Sequence, residues 1–230
     1  MFVFLHGLIG SAAHFDVIGA RLPLHQRWMA PQIDYSAHTQ EDLVDTIATR
    51  IRAEADGPVV ILGNSIGCVL ALELAALADH VVLSGPPFDH DTGDVPLRRG
   101  DLERFVRALF TPNMDAAVAD DHVDQAVACL DRLTGSRRML RETRRLRAMS
   151  QSFVDHPALS AFDDRVTCLV GQLDFMAPEM RLRGYLARVA PRACMQVIPD
   201  CGHAVPVEAP DAVLRVLEPW ITAPACVAAQ

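Results

Sequence analysis

The chain has 230 residues, 50% of them apolar, 22% charged and 6% aromatic; it has enough apolar surface for one core and is neither disordered, collagen-like nor a disulfide scaffold. All 21 basic residues are Arg, so Schiff-base chemistry, a Walker-type phosphate loop and a lysine base are excluded. A net charge of -8 argues against nucleic acid or an anionic membrane as partner, and no apolar run reaches the ~20 residues of a membrane span.

The segment 1–9 is apolar, lacks a basic leader and runs into a Gly-rich loop, so it reads as a buried strand rather than a signal peptide. Further short apolar runs at 28–31 (weak), 59–62, 81–83, 166–170 and 195–198 alternate with helical patterns. That order predicts an α/β fold with a mostly parallel sheet of about six strands, covered by helices on both faces. Thr39 with Asp42 marks a helix start, and Leu43, Ile47 and Ile51 supply its buried stripe. The stretch 66–78 is apolar nearly all round, as a helix against the sheet centre would be; 180–189 and 211–220 are amphipathic. Between 86 and 161 no strand pattern appears, and helical candidates at 101–110, 122–133 and 137–149 are rich in Arg and Asp. The expected organisation is a core of residues 1–85 and 162–230 with a helical cap inserted at 86–161.

The chemistry is carried by four loops. Strand 59–62 runs into Gly63-Asn64-Ser65-Ile66-Gly67 and then a helix. A sharp strand-to-helix turn leaves room only for small residues at Gly63 and Gly67, and it lifts the Ser65 hydroxyl above the sheet edge beside a helix N-terminus. Serine needs a base and the base an orienting acid. His203, in Asp200-Cys201-Gly202-His203 after the last strand, is the candidate base. Asp174, in Gly171-Gln172-Leu173-Asp174 after strand 166–170, is the candidate acid, with Asp89 and Asp91 as alternatives. The first strand enters His6-Gly7-Leu8, where Gly7 permits a tight loop; the N–H groups of Leu8 and Ile66 are the candidate oxyanion donors, and His6 reads as a brace.

Neither a metal nor a cofactor is expected. Asp89, His90, Asp91 and Asp94 could ligate a cation, but Pro86, Pro87 and Gly93 beside them indicate a solvated loop. The cysteines at 68, 129, 168, 194, 201 and 226 lack zinc-type spacing and read as core thiols of a cytoplasmic protein. Arg137, Arg138, Arg141, Arg144, Arg145 and Arg147 form a basic run. On a helix, Arg137, Arg141, Arg144 and Arg145 share a face, which is either a solvated surface or a dock for an acidic partner.

Taken in order, the His6-Gly7, Gly63 to Gly67, Gly171 to Pro178 and Gly202-His203 motifs resemble the α/β-hydrolase family over nearly the whole chain. Glu208-Ala209-Pro210 also matches its pattern. The resemblance is to small capped members: carrier-protein ester hydrolases, menaquinone-pathway lyases and carbon–carbon hydrolases with a Gly-Asn-Ser elbow. It implies a Ser65, His203, Asp174 triad and a start at the third family strand. A serine at the elbow sets aside the dehalogenase and epoxide hydrolase branches. The family's glycine-rich loop is replaced here by Asp34-Tyr35-Ser36-Ala37-His38-Thr39. The expected activity is hydrolysis of a carboxylic ester or thioester, on a small acyl substrate either free or bound to coenzyme A or a carrier protein. A lyase or cyclase using the Ser65–His203 pair, or a binding module that kept the fold, are the alternatives.

Overall fold

A computed structural model describes residues 1–8, 10–35, 37–88, 99–133, 144–145 and 147–221. Six strands, β1 (Phe2–Leu5), β2 (Trp28–Met29), β3 (Val60–Asn64), β4 (His80–Ser84), β5 (Val166–Gly171) and β6 (Cys194–Ile198), form one sheet. Their order is β2-β1-β3-β4-β5-β6 and every pairing is parallel. Parallel strands need crossovers, and these bury both faces, which is why most of the strands read as unbroken apolar runs.

Alternation along each strand distributes the core between two layers. Val3, Leu5, Ile61, Val81, Leu83, Cys168 and Val170 face one cluster. Its helical side is α2 (Gln40–Glu54), α3 (Gly67–Glu73), α6 (Pro157–Ala161) and α7 (Glu179–Val189), which contribute among others Leu43, Ile47, Val69, Leu159, Leu182 and Leu186. Phe2, Phe4, Val60, Leu62, Val82 and Leu169 face the other, against Phe15, Ile18 of α1 (Asp16–Gly19), Val205 of α8 (Val205–Glu208), and Val213 and Leu217 of α9 (Pro210–Ile221). At the start of α2 a reciprocal capping box forms: Thr39 Oγ1 accepts from Asp42 N at 3.1 Å, and Asp42 Oδ2 accepts from Thr39 N at 3.0 Å.

Element boundaries differ from the sequence expectation, and the helix expected at 122–133 already begins at Ala116. Strand 28–31 shortens to two paired residues, with Trp28 on the exposed edge. Helix 66–78 stops at Glu73 and continues as a 3-10 turn over Ala75–Leu77.

In the segment expected to form the cap, α4 (Arg99–Ala108) and α5 (Ala116–Leu133) build a third cluster. Leu102, Val106, Phe110, Ala119, Val123 and Ala126 pack there against Ala204 of the sheet domain. Asp89, His90, Asp91, Asp94, Arg137, Arg138 and Arg141 lie outside the described residues. No helix among the described residues is long and apolar enough to cross a membrane.

Candidate active site

The strand order reverses direction between β1 and β3. In open parallel sheets the crevice beyond the carboxyl ends of such strands is where ligands bind. The loops leaving β1 and β3 meet at that point, because Leu5 is in register with Gly63. A Cβ on Gly7 would sit 3.0 Å from Ser65 Cβ and 3.6 Å from its Oγ, so the loop after β1 lies directly against the serine.

Ser65 has φ of +54°, a left-handed conformation that costs a non-glycine residue on the order of 1–3 kcal/mol. Its N–H donates to Ser84 O at 2.9 Å, and packing on both sides enforces the turn. A Cβ on Gly63 would lie 2.3 Å from Gly67 O, and one on Gly67 would lie 2.3 Å from Leu5 O. Only glycine fits at either place.

His203 and Asp174, which come from the loops after β6 and β5, are brought together: Nδ1 of His203 lies 2.9 Å from Asp174 Oδ2, and both side chains are buried. The other carboxylate oxygen, Oδ1, accepts from Met176 N at 2.8 Å and Ala177 N at 3.2 Å, so the acid is oriented by its own loop. With Nδ1–H donated to the carboxylate, Nε2 of His203 is the ring nitrogen left to exchange a proton. Burial opposes charge on His203, but the charge and hydrogen bond of Asp174, with the charge of Glu208 beyond, outweigh it and raise the imidazole above its ordinary value.

Three further residues complete the assembly. Asn64 Nδ2 donates to Ser84 O at 3.1 Å and His203 O at 3.3 Å, which ties the turn to the histidine loop. Gly85, with φ of +50°, leaves space that a Cβ would close at 2.5 Å from His203 O and 3.1 Å from Nδ1. Glu208 accepts backbone N–H groups of the histidine loop. Asn64 and Glu208 fall inside sequence motifs, the elbow and Glu208-Ala209-Pro210, but those motifs did not disclose these contacts, which reach His203 O and Thr111 N across the fold.

His6 is fixed from both ring nitrogens. Ile33 N donates to Nε2 at 2.8 Å, so Nδ1 carries the proton and donates to Gly7 O at 2.7 Å. Tyr35 Oη donates to His6 O at 2.6 Å. Burial lowers the pKa of His6, and the neutral ring braces the loop that presents Leu8. Cys68, one turn after Ser65, is a buried thiol whose pKa burial pushes well up. Of the Arg run, Arg145 donates to His38 O and Arg144 is exposed. Among the described residues no group of three or more His, Cys, Asp or Glu is placed to hold a metal ion.

A doubly wound parallel sheet with a strained serine turn and a buried His–Asp pair at one edge defines a class of enzyme scaffold, and the sequence agrees. The model of the alpha/beta hydrolase family matches residues 2–216; the chain belongs to that family. No curated protein matches it. Among solved structures, a thermophilic esterase from Thermogutta terrifontis is similar at TM-score 0.66 and 18% identity, over 96% of this chain and 88% of the other. A meta-cleavage product hydrolase from Pseudomonas fluorescens IP01 is similar at TM-score 0.67 and 16% identity, over 94% and 88%. A serine hydrolase involved in carbazole degradation is similar at TM-score 0.62 and 19% identity, over 96% and 91%. At these identities the likeness is one of fold.

Proposed function

We propose that the protein is a serine hydrolase that cleaves a carboxylic ester or thioester through an acyl-enzyme. The observation that carries this reading is the buried His203–Asp174 pair at 2.9 Å, set at the same sheet edge as a serine held at φ of +54°. In the proposed reaction Ser65 Oγ attacks the substrate carbonyl and its proton passes to His203 Nε2, while Asp174 holds the ring and stabilises the imidazolium. The N–H groups of Leu8 and Ile66 receive the oxyanion; Ile66 is the N-cap residue of α3, at a helix start where backbone donors have no partner within the helix. His203 then protonates the departing alcohol or thiol. Water, deprotonated by the same imidazole, releases the acid and restores Ser65.

Residues 86–161 are proposed to act as the cap over this site. Coenzyme A or an acidic carrier protein, docked on the Arg137, Arg141, Arg144 and Arg145 face, belongs to the same proposal. Both are read from the basic run in a chain of net charge -8 and not from a contact.

A panel of short-chain p-nitrophenyl esters and acyl thioesters, run on the wild type and on Ser65→Ala, tests the reading. The expected outcome is turnover that the substitution lowers by several orders of magnitude. Turnover unchanged in Ser65→Ala contradicts it.

A further inference from the structure

Glu208 lies outside the residues to which the proposed reaction assigns a step, yet its carboxylate is the hub of the histidine loop. Oε2 accepts from Gly202 N at 3.0 Å and from Thr111 N at 2.7 Å, and Oε1 accepts from Ala204 N at 3.1 Å. Two of these donors flank His203 in the chain. The third, Thr111, follows α4 in the 86–161 segment. The residue between the flanking donors is bound to that segment as well, since His203 N donates to Leu109 O at 2.6 Å. There is no slack in the arrangement: a Cβ on Gly202 would lie 2.3 Å from Leu109 O and 3.1 Å from Glu208 Oε1.

A carboxylate that accepts three backbone N–H groups makes stronger and shorter bonds than neutral acceptors would. It also fixes the backbone on both sides of one imidazole at once. We infer that Glu208 is a positioning residue for His203, whose carboxylate clamps residues 202–204 to the strap 109–111 and so sets the ring's place above Ser65. The inference rests on the proposed role of His203 as base. It also assigns the 109–111 strap a part in holding the base, so that a displacement of α4 reaches His203 through Leu109 O and Thr111 N.

Two substitutions in the full chain test it. Glu208→Gln keeps the shape but has a single accepting oxygen and no charge, so at least one of the three N–H groups loses a good acceptor. Glu208→Ala removes all three. For a small p-nitrophenyl ester, kcat should fall between about tenfold and a hundredfold with KM within about twofold, as misplacement of a reacting group predicts. Glu208→Ala should fall further than Glu208→Gln.

The second readout needs no substrate. The Cε1 proton of His203, assigned by its loss in His203→Ala, should titrate at lower pH in Glu208→Gln than in wild type, since the charges facing the ring are Asp174 and Glu208. A lowered melting temperature with kcat, KM and the His203 titration unchanged would mean a structural tie only, and would overturn the inference. If Glu208→Ala does not fold, Glu208→Gln decides by the same two readouts. If the wild type turns over no ester or thioester, it is the hydrolase reading that fails, and the His203 titration alone decides for or against Glu208.

Discussion

Ser65 keeps its left-handed backbone because Ser84 O receives its N–H and glycines crowd it from both sides, and His203 keeps its orientation because Asp174 has no freedom to turn away. The raised pKa of His203 has opposite consequences for activity and for stability. A base must be unprotonated, so kcat/KM should rise with pH through an apparent pKa above the ordinary histidine value. Protonated His203 favours the folded state; that contribution is full below the unfolded value, near 6.5, and is lost as pH rises through the raised folded value. Asp174→Asn removes the charge and leaves a side chain of the same shape. It should lower kcat by about two to four orders of magnitude and move the apparent pKa downward, and a pH–rate profile on a single ester reads both. An unshifted profile would show that Asp174 is not what holds the imidazole. At this scale the sequence singled out Ser65, Asp174 and His203 because each sits in a short Gly-bearing loop after an apolar strand. The roles of Asn64, Gly85 and Glu208 stayed unread, although two of them lie in motifs, because Asn64 and Gly85 meet the distant His203 and Glu208 ties the nearby Gly202 and Ala204 to the distant Thr111.

Elements explain why the loops meet. Strands β1, β3, β4 and β5 are buried on both faces, so composition alone marked them, whereas β2 is a two-residue edge strand whose weak signal matches its few contacts. The end of α3 was not legible, because a helix apolar all round has no stripe whose loss marks a boundary. The start of α2 was legible, since Thr39 is a capping residue type and Asp42 an acid in the first turn; the reciprocal bond from Thr39 N to Asp42 adds to it. The Gly67 position ties β1 to α3. Its absent Cβ would meet Leu5 O at 2.3 Å, a backbone atom that no rotamer change can move. Gly67→Ala should therefore destabilise by about 1–3 kcal/mol or more, measured as a lowered urea midpoint, and should also slow turnover by displacing the serine turn. A midpoint within error of wild type would mean that β1 and α3 separate more easily than their packing indicates.

Across the whole molecule, one imidazole pair joins the segment after β1 to α5. His14 lies against His122 of α5, the rings tilted by 33° with centroids 4.2 Å apart. Ser11 Oγ and His122 Nε2 are buried without a hydrogen-bond partner among the described residues. Burial first, then the neighbouring His122 and His6, push His14 down to about 3, and burial likewise lowers His6, His80 and His156. These rings stay neutral in the fold at pH values where the unfolded chain has taken up protons. Stability must then decline as pH falls below about 6.5, in the direction opposite to the contribution of His203. Urea unfolding between pH 7 and pH 4 should show this slope, and His14→Phe should reduce it by about one proton; an unchanged slope would remove His14 from the account.

Covalent capture decides whether Ser65 is a nucleophile activated by His203 and Asp174. After treatment with a fluorophosphonate probe, intact-mass analysis of the wild type should show one adduct, and peptide mapping should place it on Ser65. Ser65→Ala should give none, and His203→Ala should label far more slowly, because the hydroxyl then keeps its proton. A wild-type chain that stays unlabelled, or an adduct that persists in Ser65→Ala, would contradict the account.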